Sequence, residues 1–95
     1  MKVVALPIEV VAWFDKAGIP RLVRFRIIEN DQERVIKLSK NMLGEKEKQA
    51  GKVMYKFNCT SVINGVQRGI ELRYYLESTK WILFKILKEY DSIVQ

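Results

Sequence analysis

The stretch Val53-Met-Tyr-Lys-Phe-Asn-Cys-Thr-Ser-Val-Ile-Asn-Gly-Val-Gln-Arg-Gly-Ile-Glu-Leu-Arg-Tyr-Tyr-Leu76 decides the fold. Asn64-Gly65 lies at its middle, and Asn-Gly is the commonest two-residue hairpin turn because both central positions need φ > 0. Folding there sets Val53 opposite Leu76, Tyr55 opposite Tyr74, Phe57 opposite Leu72 and Cys59 opposite Ile70. Side chains alternate along a strand, so these four pairs share one face. The other face carries Met54 with Tyr75, Lys56 with Arg73 and Asn58 with Glu71. One register thus sorts apolar from polar on both strands, and a slip of one residue would undo the sorting.

Two further hairpins precede it. Residues 7–14 alternate, with Ile8, Val10, Ala12 and Phe14 on one side. A turn containing Gly18 and Pro20 follows. Residues 21–28 alternate again, with Val23, Phe25 and Ile27 inward and Leu22, Arg24 and Arg26 outward. Setting Val10 opposite Phe25 and Ala12 opposite Val23 also sets Glu9 opposite Arg26, a favourable cross-strand pair. Residues 29–32 are a turn by composition, after which Ile36 meets Phe25, Leu38 meets Val23 and Lys37 meets Arg24. Residues 41–51 break the pattern: Glu45-Lys-Glu-Lys-Gln49 is charged on every side, with Gly44 and Gly51 at its ends, which predicts an exposed loop. After the central hairpin, Ser78-Thr79 turns the chain into residues 80–87. Branched and aromatic residues favour a strand there, and a helix from Thr79 to Val94 competes on spacing. The strand is preferred, with a one-residue bulge placing Ile82, Phe84 and Ile86 inward and Trp81, Leu83 and Lys85 outward. A short helical tail over 88–95 is expected to follow.

The sum is a single all-β domain over 1–95, a six-stranded antiparallel meander closing into a small SH3-like or partly open barrel, since closure hides sheet edges. A compact two-sheet sandwich is the alternative. The chain has 95 residues, 48% of them hydrophobic, enough for one modest core. No apolar run reaches the ~18 residues of a membrane span, and the opening residues lack the apolar core of a secretory signal. A complete, cytoplasmic protein is expected. Cys59 is the only cysteine and histidine is absent, which removes the commonest general base and any zinc set within one chain. The net charge is +6, shared evenly between residues 1–40 and 41–95, which suits solubility and loose attraction to polyanions.

Pro20-Arg-Leu-Val-Arg-Phe-Arg26 after an opening strand, with Lys80-Trp-Ile-Leu-Phe-Lys-Ile86 near the end, resembles small uncharacterised bacterial all-β domains. The resemblance implies an all-β fold and no activity.

The outer face carries the candidate site. Both registers set cations opposite one another, Arg24 with Lys37 and Lys56 with Arg73, an arrangement that costs a few tenths of a kcal/mol, up to about 1, unless an anion bridges it. Arg26 and Lys85 add charge, and Trp13, Tyr75 and Trp81 add flat apolar surface. Cations with interleaved aromatics suit single-stranded nucleic acid or another polyanion. Against this, long cationic side chains splay into water and cover apolar sheet, and Glu9 and Glu71 lie on the same face. The apolar outer residues Val11, Leu22, Ile28, Met54, Tyr75, Trp81 and Leu83 instead suit a protein partner, a second copy included. Cys59 reads as a buried structural thiol, because no base lies near it. Glu71 and Glu77 are about 20 Å apart along a strand, too far to act together. Gly18, Gly65 and Gly69 form no phosphate-cradling pattern, and no cofactor or metal is expected. The sequence therefore predicts a non-enzymatic protein-interaction or self-associating module, with polyanion binding as the alternative.

Overall fold

A computed structural model describes residues 2–42 and 45–86. They form seven strands: β1 (Lys2–Phe14), β2 (Pro20–Glu29), β3 (Gln32–Met42), β4 (Lys46–Gln49), β5 (Lys52–Ile63), β6 (Val66–Tyr75) and β7 (Lys80–Ile86). No helix occurs among the described residues, so none is long and apolar enough to cross a membrane. Three of the reversals are two-residue turns with both residues left-handed: Asn30-Asp31, Ala50-Gly51 and Asn64-Gly65. Such turns match the right-handed twist of the strands they join. Asp15 organises a longer turn, its Oδ1 accepting from the amides of Ala17 and Ile19 at 2.9 Å.

All pairings are antiparallel, in the order β3-β2-β1-β7-β6-β5-β4, and β3 also bonds β5, so the bonding is ring-like. Two long strands make this possible by changing neighbours. β1 bonds β7 over residues 2–8 and β2 over residues 9–14. β3 bonds β2 over residues 32–37 and β5 from Leu38 onward. The Ser61 hydroxyl, fully buried, donates to the Lys37 carbonyl at 2.8 Å at this crossover. Nearby, the Arg34 guanidinium donates to Asn64 Oδ1 and ties β3 to the β5–β6 turn.

The inner face holds the core. Phe25, Phe57, Ile70, Leu72 and Leu83 are each at most 1% exposed, drawn from four different strands. Each such side chain contributes about 1.5–3 kcal/mol by leaving water. The β5–β6 register is the one the Asn-Gly turn predicts, from Met54 opposite Tyr75 to Ile63 opposite Val66. The β2–β3 register also matches through Arg24–Lys37 and Phe25–Ile36.

Three expectations are corrected. First, the expected loop at 41–51 contains the end of β3 and the whole of β4; residues 43–44 lie outside the described residues. β4 prolongs β3 along the same edge of β5, Met42 lying opposite Asn58 and Lys46 opposite Tyr55. A strand made only of Lys, Glu and Gln holds because the backbone ladder, not an apolar stripe, anchors it. Second, the β1–β2 register shifts between Val11 and Ala12, so Ala12 meets Leu22. Val23 is the extra residue and stands exposed, while Leu22 turns inward. Third, β7 carries its irregularity at Phe84 and not at its start. Trp81 and Leu83 therefore lie on the inner side opposite Tyr74 and Leu72, with Ile82 opposite Arg73. The shift after Leu83 then brings Lys85 opposite Glu71 and Ile86 opposite Ile70. The helical tail expected at 88–95 lies outside the described residues.

Replacing Ser61 with alanine removes the hydroxyl that donates to the Lys37 carbonyl at the crossover. Ser61→Ala is expected to lower stability by about 1–3 kcal/mol, read as a lower urea midpoint with an unchanged m-value.

Candidate functional site

The outer surface has two halves of opposite character. On β1–β2–β3 the registers build three cross-strand rows: Glu9–Arg26–Val35, Val11–Arg24–Lys37 and Trp13–Arg21. Arg26 donates from Nε to Glu9 at 2.7 Å, from a second nitrogen to the same oxygen, and from a third to Glu33 at 2.7 Å. Its hydrogen bonds to Glu9, with the nearby charge of Glu33, hold its pKa above the ordinary arginine value. Arg26 is thus neutralised. Arg21, Arg24 and Lys37 have no carboxylate partner among the described residues. Beside them Trp13 is 74% exposed, and Val11 and Val35 are about half exposed. A shallow groove of about 270 Å³ runs between Glu9, Val11, Arg24, Arg26 and Val35.

The half formed by β4–β5–β6–β7 is closed. Met54, though on the outer side of β5, is fully buried, and Glu71 and Arg73 are each only 7% exposed. Arg73 Nε donates to Glu71 Oε2 at 2.7 Å, and the guanidinium carbon lies 3.3 Å from the centre of the Phe84 ring. Burial opposes the Arg73 charge, but hydrogen bonding to Glu71 and Tyr75 outweighs it and the pKa stands above the ordinary value. Lys56 turns the other way, to Glu47 on β4 at 3.2 Å. The two opposed cations Lys56 and Arg73 are therefore reconciled by separate carboxylates rather than by a bridging anion.

Of the nine residues that the sequence gathers into one basic, aromatic face, the structure keeps three together. Trp13, Arg24 and Lys37 stand exposed on the open half. Arg26 shares that half but is spent on Glu9 and Glu33. Lys56 and Arg73 are paired on the other half. Lys85 is half-buried, its ammonium 5.5 Å from the Phe84 ring centre. Tyr75 lines a different groove, near the 76–79 turn. Trp81 is corrected outright: it stacks on Tyr74 at 4.5 Å and contacts Phe57 at 5.7 Å on the inner side. Among the apolar residues expected outside, Val11 and Ile28 are exposed, Leu22, Met54 and Leu83 are buried, and Tyr75 is half-buried. Arg21 escapes a sequence reading because only the Val23 bulge brings it opposite Trp13.

Cys59 is buried in the core, and loss of hydration pushes its thiol up to about 12. No three His, Cys, Asp or Glu side chains gather as metal ligands among the described residues. The chain matches no protein-family model, no curated protein and no solved structure.

Removing Arg73 leaves the Glu71 carboxylate buried beside an empty space. Arg73→Ala is expected to cost about 3 kcal/mol in denaturant unfolding, whereas Arg73→Met with Glu71→Gln recovers most of the loss; a single-variant loss below ~1 kcal/mol, the size of an exposed pair, would mean the pair is solvated. The thiol titrates near 9 when unfolded and near 12 when folded. Above pH 9 the unfolded state therefore binds fewer protons, and stability falls as pH rises. Cys59→Ala is expected to show a shallower decline of the unfolding midpoint over the same alkaline range.

Proposed function

We propose that this chain is a non-enzymatic binding module of the cytoplasm, a small partly open barrel that docks a protein partner on the outer face of β1–β2–β3. The supporting observation is the exposure of Val11, Trp13 and Val35 among three cations that have no carboxylate partner among the described residues. Apolar surface set among unneutralised charge fits a partner segment that carries both apolar side chains and carboxylates. Trp and Arg are the residue types that dominate binding energy at such faces. A second copy of this chain is one such partner.

A single-stranded nucleic acid is the competing occupant, favoured by the same cations. It would need several stacking surfaces in a row. On the outer side of this half Trp13 is the exposed aromatic ring; Phe14, about half exposed, lies on the opposite side of β1 edge-on to Tyr74, and Trp81 lies on the inner side. The branched side chains beside Trp13 serve an apolar partner better than they serve bases.

The test is a titration of the full chain with a short peptide alternating leucine and glutamate, and separately with a thymidine oligonucleotide, at low and high salt. The peptide is expected to shift the Trp13 emission to the blue and to retain binding at high salt. Trp13→Ala with Arg24→Glu should weaken it about tenfold, equivalent to about 1.4 kcal/mol. Oligonucleotide binding tighter than peptide binding, lost steeply with salt, would overturn the proposal in favour of a polyanion. Failure of both probes to bind at low salt would overturn it altogether.

A further inference from the structure

At the far end of the closed half, two reversals stand side by side: the Ala50-Gly51 turn and the turn over 76–79. Between them lies a groove of about 730 Å³, whose lining includes no residue of β1–β3. That volume falls in the range of small-molecule sites. Its apolar lining comes from Val53, Tyr75 and Ile82, all half-buried. Lys52 enters from one turn and Lys80 from the other, and neither has a carboxylate partner among the described residues. Glu77 is the one acidic residue of the lining, so two cations face one anion. Both turns contain residues with left-handed φ, Ala50 and Gly51 on one side and Thr79 on the other.

We infer that this groove binds a small amphipathic anion, an apolar molecule ending in a single carboxylate. Tyr75 and Ile82 would take the apolar body, and Lys52 and Lys80 the charged end. A doubly charged ligand fits less well, because Glu77 offsets one of the two lysines. A cation is disfavoured by the lysines, and a fully polar anion leaves the apolar lining unused. The site is independent of the β1–β3 face, so either can fail without the other.

The experiment titrates the full chain with decanoate below its micellar concentration by calorimetry, with acetate and decyltrimethylammonium as comparisons. Saturable binding of decanoate, with neither comparison binding detectably, is expected. Lys52→Gln with Lys80→Gln should weaken it roughly five- to tenfold, in keeping with two partly exposed ion pairs. Both lysines are exposed, so the fold should survive; a matching circular dichroism spectrum and melting temperature check this. Ile82→Asn should weaken binding as well, while Trp13→Ala should not. Absence of saturable decanoate binding would overturn the inference, as would equal binding of the ammonium analogue or an unchanged affinity in the double lysine variant.

Discussion

Everything in this molecule depends on β3 exchanging one neighbour for another at Leu38. Up to Lys37 it completes a meander with β2, and from Leu38 it bonds β5. Without that exchange the β1–β2–β3 ladder and the β5–β6–β7 ladder would meet only through β1 and β7, and the inner residues Phe25, Ile36 and Phe57 would face water on one side. Where a strand changes neighbours, the backbone groups at the switch need hydrogen-bond partners as much as those in the ladders do. The Ser61 hydroxyl supplies one to the Lys37 carbonyl. Strand β4 is a second product of the same bend, since it extends β3 along β5 for another four residues.

The sheet with its ring-like bonding has an outside, and carboxylates decide how that outside behaves. Where an acidic residue sits within reach, a cation is consumed: Arg26 by Glu9 and Glu33, Lys56 by Glu47, Arg73 by Glu71. Where none does among the described residues, at Arg21, Arg24 and Lys37, charge stays open to solvent next to exposed valines and a tryptophan. An even spread of charge along the chain thus becomes an uneven one in space. Arg73 shows the limiting case, a guanidinium clamped between a carboxylate and the Phe84 ring and held there as part of the packing.

Much of the architecture was legible wherever alternation and turn chemistry agree. Asn64-Gly65 and the alternating residues around it specify the β5–β6 register pair by pair, and the β2–β3 register follows the same logic. The Val23 bulge was not legible, and the bulge in β7 was expected but at the wrong place, because one extra residue reverses facing without leaving a mark of its own in the pattern. Strand β4 was hidden for a different reason: Lys46-Glu-Lys-Gln49 has no apolar residue to mark a face, and only Glu47 is half-buried. The open half of the candidate site was half visible, in Arg24, Lys37 and Trp13. Arg73 was misplaced because an arginine at an outward position normally extends into water. The clue lay in its company, since Met54, Tyr75 and Phe84 crowd the same side.

The tight turns at Asn30-Asp31, Ala50-Gly51 and Asn64-Gly65 join strands that are neighbours in sequence, whereas β1 and β7 bring Val3 to Lys85 across nearly the whole chain. Loop-closure entropy makes contacts of the first kind cheap to reach and contacts of the second kind dear. The hairpins are therefore expected to form early in folding, and β1 to zip onto β7 after the rate-limiting step. Kinetic φ-values near one at Phe57 and Leu72, with values near zero at Leu6, whose ladder partner Leu83 is distant in sequence, are the signature that this order of events leaves in refolding rates.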